Sequence, residues 1–213
     1  MEDLSTLNTI NRQEKIKNFI VNNKYKIIFG LIILILIVIG VYSYDNHLTN
    51  KKKEISDKFN SIIIESKEDN KETTVDKLIE IINKKDPTYS PLSLYFIIDN
   101  NLVNDQKVVN SLFDILIEKT SLDDEIKNLV IYKKALFNAD RFKEGDLLNI
   151  LNPLINSKSV WKSHALYLMA EYFYAGDQKQ KAKEFFNQIV SLKNPNADIR
   201  LQAEKRLNRD LSE

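Results

Sequence analysis

The sequence predicts an all-α protein, in which a single membrane-spanning helix near the N-terminus precedes a solenoid of paired helices. One uninterrupted run of 18 uncharged, mostly apolar residues covers positions 27–44. After it, apolar residues recur at helical spacing, without the sustained period of two that a half-buried strand requires. Only four glycines and four prolines occur in 213 residues, which is too few for a loop-rich β protein.

The apolar run has the length of a transmembrane helix. At about 1.5 Å rise per residue it spans about 27 Å, close to the hydrocarbon thickness of a bilayer. It is longer than the apolar region of a signal peptide, and no small-residue cleavage site follows it. A buried core helix is the alternative, but such a helix seldom lacks a polar stripe over this length. We therefore predict one membrane helix over residues 27–44, which includes Ile27, Leu31, Leu36 and Val41.

The positive charges beside this run favour one orientation. Lys24 and Lys26 adjoin its amino-terminal edge, whereas the cluster Lys51 to Lys53 begins seven residues beyond its end. Because basic residues close to a span stay in the cytoplasm, we expect residues 1–26 to form a short basic cytoplasmic tail. Residues 45–213 would then lie in the periplasm, beside a bacterial inner membrane. The lysine cluster either anchors the helix end at the headgroups or, on a cytoplasmic side, binds anionic lipid.

Composition argues against nucleic-acid binding and against metal chemistry. Residues 27–213 carry 26 basic and 27 acidic side chains, so no global field attracts nucleic acid. Cysteine is absent, which excludes disulfides and thiolate metal sites. The two histidines, His47 and His164, have no second histidine at a metal-ligand spacing. We expect no metal, no cofactor and no small-molecule substrate.

No catalytic signature stands out in the helical pattern. The chain contains neither a glycine-rich phosphate loop nor a Gly-x-Ser-x-Gly elbow. The acid pairs Glu68-Asp69 and Asp123-Asp124 suit loop solubility and helix dipoles better than a pair of glycosidase carboxylates. The sequence therefore predicts that the protein is not an enzyme, and a helical hydrolase is the alternative that activity screening would test.

Cap and turn residues mark the helix ends. Ser90 followed by Pro91 resembles an N-cap with proline at the first helical position. Ser121, with Asp124 three residues later, resembles a capping box. Pro153 is expected to end or kink the helix that contains it. Further breaks are predicted at Gly176-Asp177, at Asn194-Pro195-Asn196 and over the polar stretch 66–73.

Grouped in pairs, the helices repeat at a nearly constant interval. The pairs begin near Thr88, Asp123, Ser159 and Asn196, at spacings of 35, 36 and 37 residues. One pair cannot bury its apolar face alone, whereas stacked pairs bury a continuous core and form a concave surface. The stripe at 55–63 precedes the first pair, and it either continues the membrane helix as a stalk or packs as the first helix of the domain.

This interval is close to the 34-residue helix–turn–helix unit of tetratricopeptide repeats. Ala182, Phe186 and Ile189 lie where the second helix of such a repeat has small, aromatic and medium-sized side chains, and Pro195 closes the repeat. We therefore predict a tetratricopeptide-repeat-like α-solenoid over residues 45–213. Because first helices line the groove of such repeats, the candidate protein-binding residues are Leu166, Ala170, Phe173 and Tyr174.

Three segments resemble those of one bacterial family. Residues 89–94 (Tyr-Ser-Pro-Leu-Ser-Leu) resemble its Tyr-x-x-Leu-Ala repeat opening, with Ser93 in place of alanine. Residues 160–165 (Val-Trp-Lys-Ser-His-Ala) resemble its Trp-x-x-x-Ala opening, and residues 198–203 (Asp-Ile-Arg-Leu-Gln-Ala) its closing Leu-Arg-x-x-Ala helix. The order of a basic tail, one membrane helix and degenerate helical repeats also resembles this family, the ancillary subunit of the bacterial Sec translocon.

The resemblance implies contacts with Sec translocon subunits and periplasmic chaperones, and a role in assisting newly exported polypeptides. The residues alone imply a membrane-tethered helical surface that binds peptides or proteins. The alternative function is an envelope or cell-division scaffold that uses the same kind of repeats.

Overall fold

The computed structural model describes residues 2–67 and 70–211, and within them the side chains except those of residues 2–13, 16 and 27. The predicted acid pair Glu68-Asp69 and the side chain of Ile27 therefore lie outside the described residues. The described part of the chain is helical and contains no strand, which confirms the all-α prediction. Two compact units, Met1–Glu54 and Ile55–Glu213, divide the chain.

Nine α-helices and one π-helical turn account for the regular structure of the described residues. They are α1 (Glu2–Glu65), α2 (Lys71–Asn83), α3 (Tyr89–Asp99), α4 (Gln106–Asp114), the π-helical turn (Ile115–Lys119), α5 (Asp124–Asn138), α6 (Glu144–Ile155), α7 (Lys162–Ala175), α8 (Lys179–Ser191) and α9 (Ala197–Asp210).

Helix α1 carries the long apolar stretch. Its geometry departs from helical values at Asn23 (φ −113°, ψ 15°), whose side-chain amide donates to the carbonyl of Phe19 at 3.0 Å. From Ile28 onward α1 is long and apolar enough to cross a membrane. Leu31, Leu36 and Val41 are each more than half exposed. Continuous exposure of large apolar side chains is unfavourable in water and suits a helix that faces lipid.

In the second unit, helices that follow one another in the chain pack against one another. From α2 to α9 each helix contacts the next, and contacts also join α5 to α7 and α7 to α9. The first helices of the predicted pairs are α3, α5, α7 and α9, which begin 35, 38 and 35 residues apart. Each of these helices begins within three residues of its predicted start.

Two apolar clusters stabilise this unit. The first cluster contains Phe59 and Ile62 from the end of α1, together with buried residues of α2 to α5. The stripe at 55–63 therefore packs in the domain, as one interpretation predicted, and it also continues the helix that carries the apolar stretch, as the other predicted. The second cluster extends from Ile131 of α5 to Leu211. Each fully buried large apolar side chain in these clusters contributes about 1.5–3 kcal/mol relative to exposure.

Two predicted helix caps are wrong. Helix α3 begins before Ser90, because Oδ1 of Asp86 accepts hydrogen bonds from the backbone N–H groups of Thr88 and Tyr89 at 2.9 and 2.8 Å. The hydroxyl of Ser90 instead donates to the carbonyl of Ile81 at 3.0 Å. Helix α5 begins after Asp123, without a side-chain cap, so Ser121 forms no capping box.

The other predicted helix boundaries lie close to the observed ones. Pro153 lies inside α6, two residues before the helix ends. Between α7 and α8 the left-handed conformation belongs to Asp177 (φ 55°) and not to Gly176, consistent with the tolerance of aspartate for this region. Helix α9 begins after Asn196, whose side chain accepts a hydrogen bond from the N–H of Ile199 at 3.1 Å. The predicted loop 66–73 is shorter than expected, because α2 begins at Lys71.

Candidate functional site

The four predicted groove residues lie on α7, and three of them belong to the core. Leu166, Ala170 and Phe173 are at most 1% exposed. They are spaced four and three residues apart, so they form the stripe that α7 turns toward its neighbours. Because a fully buried side chain cannot contact an external ligand, the prediction is corrected for these three residues. Tyr174 alone keeps exposed surface.

Two cavities lie beside the first helices, and other side chains line them. One cavity of about 160 Å³ lies between α3 and α5, and another of about 460 Å³ lies between the end of α5 and α7. Lys133, Leu136 and Asp140 are three and four residues apart, so one face of the α5 region contributes to both cavities. We call this surface the first-helix groove; it comprises Tyr95, Ile98, Asp99, Lys133, Leu136, Phe137, Ala139, Asp140, Leu168, Glu171, Tyr172 and Ala175.

The cavity between α3 and α5 combines an apolar wall with a cation and a hydroxyl. Nζ of Lys133 lies 4.4 Å from the ring centroid of Tyr95, which is a cation–π contact. The Tyr95 hydroxyl is buried and has no hydrogen-bond partner among the described residues. Burial raises the pKa of Tyr95 to about 12, so the hydroxyl stays protonated. Leu136, 52% exposed, supplies the apolar contact surface.

Beside the second cavity, an ion-pair network joins α7 to α9. The guanidinium of Arg206 donates to the two carboxylate oxygens of Glu171 at 2.8 and 2.6 Å and to Asp210 at 2.9 Å. It also lies 4.7 Å from the ring centroid of Tyr174. Hydrogen bonds from Arg209 and Arg206 hold the pKa of the Asp210 carboxyl well below its usual range. These contacts leave Glu171 neutralised and Tyr174 covered on one side.

His164 is a packing residue. Its ring centroid lies 5.0 Å from that of Trp161 and 5.7 Å from that of Tyr132, and these two rings stack on each other. Burial lowers the pKa of His164, opposed by the backbone of Val160. The described part of the chain holds no group of three or more potential metal ligands. His47 is exposed on α1, far along the chain from this cluster.

The segments that carry the family resemblance make structural contacts. The hydroxyl of Tyr89 donates to Oγ of Ser56 at 2.7 Å, and its ring lies 5.6 Å from that of Phe59. Ala165 and Ala203 are fully buried. No protein-family model, curated protein or solved structure matches the chain. The resemblance therefore depends on the sequence segments alone.

The sequence pattern did not single out Tyr95, Lys133 or Leu136, which line the cavity between α3 and α5. One signal in the sequence pointed toward Lys133, since it interrupts the apolar pattern of α5. The side chains of α3 offered no such contrast, because α3 is apolar on most sides. Only the packing of α3 against its neighbours separates its buried side chains from its exposed ones.

Proposed function

We propose that the protein is a membrane-anchored protein-binding module that holds segments of partner proteins in the first-helix groove. The observation that carries the proposal is the exposed Leu136, which lines a cavity between α3 and α5 together with Lys133. Apolar surface with a few convergent polar groups is the usual composition of a binding cleft. A chain that also carries an exposed, membrane-length helix brings this cleft to a membrane surface.

The groove offers a partner segment complementary contacts along several helices. Leu136 accepts an apolar side chain, and Lys133 and Asp140 favour a polar backbone or opposite charges. The recurrence of first helices every 35–38 residues, with α5 contacting α7 and α7 contacting α9, supports a tetratricopeptide-like solenoid as the scaffold of this groove. We include that arrangement in the proposal.

Within the proposal, the module is an ancillary subunit of the bacterial Sec translocon. Its short N-terminal tail lies in the cytoplasm, and its helical domain receives newly exported polypeptides or periplasmic chaperones on the other side of the inner membrane. Support comes from the resembling segments at 89–94, 160–165 and 198–203, and from the lysines beside the amino-terminal edge of the apolar run.

Photo-cross-linking in cells tests this function. A benzophenone amino acid replaces Leu36 in the membrane helix or Leu136 in the groove. Leu201, on α9 and 50% exposed, is the matched control, because it lines neither cavity of the groove. We expect Leu36 to capture a Sec channel subunit, and Leu136 to capture exported chains or chaperones in clear excess over Leu201.

Two results would contradict the proposal. Equal capture by Leu136 and Leu201 would remove the groove as the binding surface. Capture of cell-wall or division enzymes by Leu36 and Leu136, without any Sec subunit, would replace the translocon role with the envelope-scaffold function.

A further inference from the structure

A second groove opens on a different face of α5, between α4 and α6. Its volume is about 680 Å³, which lies within the range of about 300–1,000 Å³ for ligand-binding clefts. Lys134 lines this groove whereas the adjacent Lys133 lines the first-helix groove, since successive helical residues point about 100° apart. We call it the amide groove; the residues that matter here are Gln106, Asn110, Lys134, Phe142, Asn149 and Ile150.

A buried asparagine orients two of the amides that line the amide groove. Asn138 is fully buried, and its Oδ1 accepts hydrogen bonds from Nε2 of Gln106 at 2.7 Å and from Nδ2 of Asn110 at 3.0 Å. Its Nδ2 donates to Oδ1 of Asn110 at 2.8 Å and to the carbonyl of Lys134 at 2.7 Å. The amide of Asn138 is therefore fully satisfied, and it holds Gln106 and Asn110 in fixed orientations at the groove.

Hydrogen-bonding capacity remains on the groove side of this network. Gln106 donates one of its two amide N–H groups to Asn138. Within the described residues its Oε1 and its second N–H have no partner and are available to a ligand. Asn149 adds an exposed amide from α6. A side-chain amide presents one acceptor and paired donors, the same groups that a peptide backbone needs.

Charge in the amide groove is balanced. Nζ of Lys134 lies 2.6 Å from the carboxylate of Asp114, so this cation is already paired. Lys107 and Asp146 add one charge of each sign to the lining. Phe142 and Ile150 supply apolar surface. A neutral lining of amides and apolar side chains suits a ligand that is uncharged, hydrogen-bonding and partly apolar.

We propose that the amide groove binds an extended, uncharged stretch of polypeptide. Gln106 and Asn149 pair with the backbone of that stretch, and Phe142 and Ile150 contact its apolar side chains, as in other modes of extended-peptide recognition. This site is separate from the first-helix groove and from the question of Sec association, and it gives the protein a second surface for unfolded segments.

The test measures binding of a fluorescein-labelled synthetic peptide, in which valine and leucine alternate with serine and glutamine, to the full chain in detergent micelles. Fluorescence anisotropy compares Gln106→Ala and Asn149→Trp with the control Asn152→Trp. Asn149 and Asn152 are both exposed on α6, but Asn152 does not line the groove. Each variant removes an amide that pairs with the peptide backbone, so we expect Gln106→Ala and Asn149→Trp to weaken binding about tenfold, a loss of about 1.4 kcal/mol.

The control Asn152→Trp should bind as the unmodified chain does, and circular dichroism should show the same helix content for every variant. Equal weakening by Asn149→Trp and Asn152→Trp would overturn the proposal, as would failure of the unmodified chain to bind the peptide. Weakening by Leu136→Glu but not by Asn149→Trp would place the peptide in the first-helix groove, and would also overturn it.

Discussion

His164 packs against Trp161 and Tyr132 at the opening of α7, where its neutral form fits the aromatic surroundings. Burial lowers the pKa of this imidazole below its ordinary value of 6.5. Between its folded and unfolded pKa the unfolded chain binds more protons, so stability falls as the pH falls. The contribution of neutral His164 is therefore complete above about pH 6.5 and decreases below that pH.

We predict that replacing His164 by Gln reduces the loss of stability between pH 7 and pH 5. Trp161, the single tryptophan of the chain, reports urea unfolding by its fluorescence. The control His47→Gln changes an exposed imidazole on α1 and should leave the pH dependence as it is in the unmodified chain. An unchanged pH dependence in His164→Gln would contradict the prediction.

Residue-level patterns in the sequence identified helix starts better than they identified caps. Thr88 and Asp123 were predicted starts, and α3 and α5 begin one residue after them. The cap of α3, however, comes from Asp86, whereas Ser90 bonds to α2. A serine that precedes a proline has the right chemistry for a cap. Because α2 packs against α3, however, the hydroxyl of Ser90 donates to a backbone carbonyl of α2 instead.

Helix α9 is held to α7 by Arg206, an interaction at the scale of whole elements. The guanidinium joins Glu171 of α7 to Asp210 at the end of α9, and its side chain is only 26% exposed. The planar, two-pronged geometry of this contact requires arginine, since lysine presents a single point charge. Arg206 and Glu171 lie 35 residues apart in the chain, and their contact holds α9 against α7, the preceding first helix.

We predict that Arg206→Ala lowers the free energy of unfolding by about 1–2 kcal/mol, and that Arg206→Lys restores little of it. Urea unfolding followed by Trp161 fluorescence gives the free energy, and hydrogen exchange of α9 amides should accelerate. The control is Arg200→Ala, which removes the more exposed pair with Glu204 and should cost about 0.5 kcal/mol or less. Equal costs for the two alanine variants would show that the Arg206 network contributes no more than a surface pair.

At the scale of the whole molecule, the exposed apolar stretch of α1 dominates. From Ile28 to Leu48 its large apolar side chains are exposed, whereas the second unit buries its core side chains in two clusters. The second unit thus buries its apolar side chains in its own core. The apolar stretch of α1 does not, so it is stable only in an apolar environment. The described residues thus contain one helix long and apolar enough to cross a membrane and a second compact helical unit.

We predict that replacing both Leu34 and Leu36 by Arg releases the protein from membranes. Each arginine near the centre of a spanning helix costs about 2.5–3.5 kcal/mol of insertion free energy. Alkaline carbonate extraction followed by sedimentation measures the membrane-bound fraction. The variant with Leu201 replaced by Arg, on exposed α9, should sediment with the membrane like the unmodified chain. Full retention of the double variant in the pellet would refute a spanning role for this helix.

The sequence by itself determined the helical class, the membrane-length helix and the approximate helix starts, because these depend on local composition and on the spacing of apolar residues. The tertiary structure decided which side chains remain accessible. Phe173 and Leu136 are both apolar residues of predicted first helices, yet neighbouring helices cover Phe173 and leave Leu136 half exposed. Exposure depends on which helices pack against a face, and residues distant in the chain, such as Asn110 and Asn138, meet only after that packing.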